Sequence, residues 1–115
     1  MPIDEYRRLD RLHISVLTLG EIEQGIARIW GRGNRRQAYA LERWLRDMQA
    51  GFEERILPVT LPIATAWGPS AIRAALPVID ALIAATAWVH GLTVVTPQRQ
   101  DFKPAEVDVF NPFDE

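Results

Sequence analysis

The stretch Leu76-Pro77-Val78-Ile79-Asp80-Ala81-Leu82-Ile83-Ala84-Ala85-Thr86-Ala87-Trp88-Val89-His90-Gly91-Leu92-Thr93-Val94-Val95-Thr96 decides the fold. Pro77 has its backbone preset for a first helical turn, and the following residues predict a strong helix through Trp88, with His90 in its last turn and Gly91 just past it. That helix is apolar nearly all round, which places it in the interior. Leu92 to Thr96 is then a β-branched run without polar alternation, the pattern of an interior strand in a parallel sheet. A buried helix leading into a buried strand implies α/β architecture.

The same alternation extends toward the N-terminus. Ile14-Ser15-Val16-Leu17 reads as a short buried strand, and Thr18-Leu19-Gly20-Glu21 matches a capping box that starts a helix. Leu19, Ile22, Ile26 and Ile29 form its apolar stripe. Gly31-Arg32-Gly33-Asn34 breaks it, and a second helix carries Ala38, Leu41, Trp44, Leu45 and Met48 on one face before Gly51 stops it. The two predict an αα-hairpin. Ile56-Leu57-Pro58-Val59 is a second strand, Thr60 caps a short helix from Leu61 to Trp67, and Gly68-Pro69-Ser70 ends that helix. Toward the C-terminus, Val107-Asp108-Val109-Phe110 reads as an edge strand. Strands and helices alternating at these lengths imply βαβ units and a three-layer domain.

Composition narrows the function. The chain has 115 residues, 48% apolar and 24% charged, which suits one domain spanning residues 1–115. It contains no cysteine, so thiolate metal sites and disulfides are excluded, and any metal must sit on oxygen or imidazole. The charged opening segment has no apolar core of a signal peptide, and the most apolar stretch is interrupted by His90 and Gly91, so a cytoplasmic protein without a membrane span is expected. A formal net charge of −2 supplies no global attraction for polyanions. Nucleic-acid contact would need a local basic patch.

Three carboxylates occupy similar places: Glu21 in the first turn of a helix after a strand, Asp80 at the head of the buried helix, and Asp101 just beyond a strand. In α/β sheets these are the carboxyl ends of strands, where ligands bind. Gathered carboxylates repel one another, and a hard divalent cation relieves that repulsion while activating water against a phosphodiester. Each residue also has a purely structural explanation. Glu21 is the reciprocal acceptor of a capping box, Asp80 a first-turn dipole partner, and Asp101 a turn residue.

The ordered blocks around these acids resemble the PIN-domain ribonucleases, in particular the VapC and FitB-like toxins of bacterial toxin–antitoxin pairs. They are Ser15-Val16-Leu17-Thr18-Leu19-Gly20-Glu21-Ile22 with Gly25-Ile26, Leu76 to Ala87, His90 to Thr96, Asp101-Phe102, and Asn111-Pro112-Phe113. The resemblance implies a parallel sheet flanked by helices and a metal-dependent endoribonuclease. Glu21, Asp80 and Asp101 match positions that hold Mg²⁺ or Mn²⁺, with Thr96 and Ser15 as supporting polar groups. It also implies a cognate antitoxin, an RNA substrate and a homodimer.

Three departures from that pattern follow. No residue matches the family's opening strand ending in Asp-Thr-Asn, which supplies a central ligand and the middle strand of the sheet. A misplaced start, a truncation or a split gene would account for it, and weak nuclease activity with self-association through the gap is expected. The alternative is a catalytically inactive remnant that binds an antitoxin or its own copy. The segment before Asp80 is compressed, and Thr96-Pro97-Gln98 stands where relatives carry Thr-Arg-Asn, with Arg99 as a candidate substitute. Arg32, Arg35, Arg36, Arg43 and Arg46 cluster about the second helix, either as RNA or antitoxin contacts or as a solvated face partnered by Glu42 and Asp47. His90 and the four tryptophans read as structural.

Overall fold

The computed structural model describes residues 12–73, 76–95, 102 and 108–110, which divide into two compact units. The unit Leu12–Pro58 contains β1 (Ile14–Ser15), α1 (Val16–Gly31), α2 (Arg35–Phe52), a 3-10 turn (Glu53–Arg55) and β2 (Ile56–Leu57). The unit from Val59 onward contains α3 (Leu61–Arg73), α4 (Val78–His90), β3 (Val94–Val95) and β4 (Val109–Phe110). β1 pairs in parallel with β2, Ile14 opposite Ile56, and β3 pairs in parallel with β4, Val94 opposite Val109. Parallel pairing is as the apolar runs predict. Among the described residues the strands form these two separate pairs.

In the first unit the helices form the expected hairpin. Leu19 and Ile26 of α1 are buried with Ala38 and Leu45 of α2, and Ile22, Ile29, Leu41 and Met48 pack on them. Full burial of an aliphatic side chain such as Leu45 stabilises by about 2–3 kcal/mol. The joint between the helices is short because each end is closed locally. The Gly33 N–H donates to the Trp30 carbonyl at 3.0 Å and the Asn34 N–H to the Ile29 carbonyl at 3.3 Å, while Gly33 takes the left-handed φ of +82° that this closure requires. Asn34 then caps the next helix. Its Oδ1 accepts from the Gln37 N–H and its Nδ2 donates to Gln37 Oε1.

In the second unit α4 is the buried helix expected from its composition. Ala81, Ala84, Ala85, Thr86 and Ala87 are all buried, and Thr86 satisfies its hydroxyl by donating to the Leu82 carbonyl. Ala84 and Ala87 pack with Val94 and Phe102. Gly91, at φ +65°, ends the helix by donating to the Trp88 carbonyl, and the Leu92 N–H returns to the Ala87 carbonyl at 2.8 Å.

Several boundaries differ from expectation. α1 begins at Val16 and takes Ser15 as its cap, so the preceding strand is two residues long and Thr18 lies inside the helix. α2 runs through Gly51 to Phe52, and α3 continues through Gly68 and Pro69 to Arg73. A proline deprives the helix of one hydrogen bond, but α3 packs along α4, and burial outweighs that local loss. Trp44 and Trp88 are 49% and 67% exposed, so neither is a core residue of its unit.

Candidate metal and RNA site

Glu21 lies in the second turn of α1 and not in the first, because the helix starts at Val16, and it is exposed. The capping-box explanation for it fails. The capping oxygen is Ser15 Oγ, which accepts from the Leu17 N–H at 3.1 Å, and α1 has no acid in its first turn. Glu21 is thus too far along the helix to bond back to the cap residue, and its carboxylate makes no hydrogen bond or ion pair among the described residues. Ser15 itself, matched as a supporting polar group, is half-buried and committed to the cap.

Asp80 is in the first turn of α4 and half-buried. The residue at the helix cap is Pro77, which makes no side-chain capping bond. An acid at this point faces the positive end of the helix dipole. Its oxygens carry no hydrogen bond or ion pair among the described residues. Each carboxylate thus keeps its lone pairs, and hard oxygen donors of this kind suit a divalent cation. Glu21 belongs to one compact unit and Asp80 to the other. Asp101, Thr96 and Arg99 lie outside the described residues, as does the Asn111-Pro112-Phe113 block. Among the described residues no group of three acids or histidines gathers around one point.

With these positions in hand, comparison with known proteins decides the family. The model of the PIN domain matches residues 3–104. The chain belongs to the PIN-domain family. Curated PIN relatives include Toxin FitB of Neisseria gonorrhoeae, 31% identical over 91% of this chain and 78% of its own length. Plasmid stability protein StbB of Pseudomonas syringae pv. tomato is 30% identical over 92% and 78%. VapC ribonuclease Y4jK of Sinorhizobium fredii is 27% identical over 92% and 78%. Among solved structures, FitAcB from Neisseria gonorrhoeae superposes with a TM-score of 0.84 at 31% identity, covering 93% of this chain and 79% of that one. FitAB bound to an IR36 DNA fragment gives 0.75 at 30% identity, covering 93% and 77%. The fold is PIN-like, with helices and parallel strands, and the chain is homologous to toxins of toxin–antitoxin systems. No helix among the described residues is long and apolar enough to cross a membrane.

The arginines on the first unit lie on exposed positions, and one of their two expected partners, Glu42, is engaged elsewhere. Glu42 accepts a 2.7 Å hydrogen bond from the Trp30 indole Nε1. Arg32, Arg35, Arg36, Arg43 and Arg46 are all exposed, and none makes an ion pair among the described residues. Tyr39 stands among them, its ring edge-on to Trp30 with centroids 5.0 Å apart. Its spacing of four residues from both Arg35 and Arg43 is the signal by which the sequence marks it.

Proposed function

We propose that this PIN-domain chain is a toxin-type endoribonuclease whose residues Glu21, Asp80 and Asp101 hold a divalent cation, Mg²⁺ or Mn²⁺, at the scissile phosphodiester. The observation that carries the reading is Glu21. It sits in the family-like block, exposed, outside the capping role that would otherwise explain it. When bound, the ion supplies Lewis-acid polarisation of the phosphate and an activated water. The chain's part is to place oxygen donors. α1 carries Glu21 on a capped, packed helix, and α4 fixes Asp80 in its first turn by burying Ala81, Ala84, Ala85, Thr86 and Ala87.

A cognate antitoxin protein is the expected partner, in keeping with the toxin names of the relatives, and the setting is the cytoplasm. The 115 residues act as one PIN-like domain and associate as a homodimer. The alternative, an inactive binding module, draws support from β1 and β3, each of which pairs on one side only among the described residues.

The test measures Mn²⁺ binding by calorimetry and RNA cleavage in parallel, on the chain and on Asp80→Asn and Glu21→Gln. Binding that weakens at least tenfold in each variant, with slow chelator-sensitive cleavage lost in Asp80→Asn, supports the nuclease. Cleavage that survives Asp80→Asn, or no metal binding at all, overturns it.

A further inference from the structure

The end of α1, the turn after it and the first three turns of α2 concentrate positive charge in a chain whose formal net charge is −2. Residues 28–47 hold Arg28, Arg32, Arg35, Arg36, Arg43 and Arg46 against two acids, Glu42 and Asp47, and Glu42 accepts a hydrogen bond from the Trp30 indole. On α2 the positions Arg35, Tyr39, Arg43 and Arg46 recur at intervals of four, four and three, so they share about 80° of arc along about 17 Å of helix. Arg36 borders them. The opposite face of α2 is spent on the core through Ala38, Leu41, Leu45 and Met48. Tyr39 is 58% exposed, yet its ring packs at 75° to that of Trp30, which is itself fixed by Glu42. A pinned aromatic ring inside an arginine row loses little entropy on contact.

We propose that this face of α2 binds single-stranded RNA, with Arg35, Arg36, Arg43 and Arg46 on successive phosphates and Tyr39 as the platform on which one base stacks. Charge complementarity selects a polyanion. The fixed ring selects a strand with unstacked bases over an acidic peptide, which has no π-face to offer, and over a duplex, whose bases are closed. The choice of RNA over single-stranded DNA rests on the nuclease reading above. The surface itself does not depend on that reading, because none of its residues is a proposed metal ligand.

The experiment titrates a dye-labelled, unstructured oligoribonucleotide with the full chain in chelator, so that binding is read without cleavage. Wild type is expected to lose affinity about 50-fold between roughly 50 and 200 mM salt, the response to four neutralised phosphates on a single strand. Replacing the four arginines by glutamine should abolish most binding and flatten the salt slope by about 3, whereas the four-lysine version should keep the slope. Tyr39→Ala should weaken binding about tenfold at an unchanged slope, and Tyr39→Phe should bind as wild type. Circular dichroism establishes that each variant is folded. Unchanged affinity and slope in a folded four-glutamine variant overturn the proposal. So does a four-glutamine variant that loses polyglutamate but retains RNA, which would assign the face to an acidic protein segment. Asp80→Asn is expected to bind RNA like wild type. A chain that binds RNA through α2 but never cleaves it refutes the nuclease alone, and one that cleaves while binding is indifferent to the arginines refutes the α2 surface alone.

Discussion

Two tryptophans in similar half-buried settings differ in one bond. Trp30 Nε1 donates to Glu42 at 2.7 Å, whereas Trp67 Nε1 is buried with no acceptor among the described residues. A satisfied hydrogen bond to a carboxylate is worth more than its neutral counterpart, and an unsatisfied buried donor is a cost that replacement removes. Trp30→Phe should therefore lower stability by about 1–2 kcal/mol in urea denaturation, while Trp67→Phe should stay within about 0.5 kcal/mol of wild type. Equal losses would mean that the Glu42 bond contributes nothing. Glu21 admits a similar separation of roles. As an exposed residue outside the cap, Glu21→Gln should leave the denaturation midpoint within about 0.5 kcal/mol, where losing a true capping partner would cost about 1 kcal/mol.

Elements were legible wherever a local signal and the packing agree. The stripe Leu19, Ile22, Ile26 and Ile29 and the break at Gly33-Asn34 describe the hairpin from sequence alone, and both are found. Thr-x-x-Glu is a stronger written pattern than a lone serine, so the sequence points to a helix start at Thr18. The helix nevertheless starts at the earlier oxygen, since Leu17 N–H finds it first. Gly68-Pro69 misled for the opposite reason. Local propensity marks a stop, but packing along α4, distant in sequence, carries α3 through. Glu42 was assigned to arginines because side-chain spacing within one helix is visible in sequence, while the approach of Trp30 from α1 is not. The joint yields its own test. Gly33→Ala must force a β-carbon into φ +82°, so a loss of about 1 kcal/mol is expected, although nothing crowds that position. Leu45→Ala, emptying the centre of the hairpin, should cost about 3 kcal/mol by the same measurement.

At the scale of the whole chain, the two parallel strand pairs leave backbone edges unpaired among the described residues, and such edges favour pairing with another molecule. Light scattering is expected to find dimers or larger species, and a stable monomer at high concentration would oppose it. Mn²⁺ should raise the melting temperature, since a ligand bound to the native state at one hundred times its Kd adds about 2.7 kcal/mol. Asp80→Asn should remove that rise. The positive face of α2 has one more property, which follows from its being built of arginine throughout. The only lysine of the chain is Lys103. Acetylation, which silences many basic surfaces by neutralising lysine amines, has no foothold on α2, so its charge is permanent once the protein is made. Lysine acetylation therefore cannot control what binds there. The same chemistry lets amine-reactive dyes be attached to the chain without touching that helix.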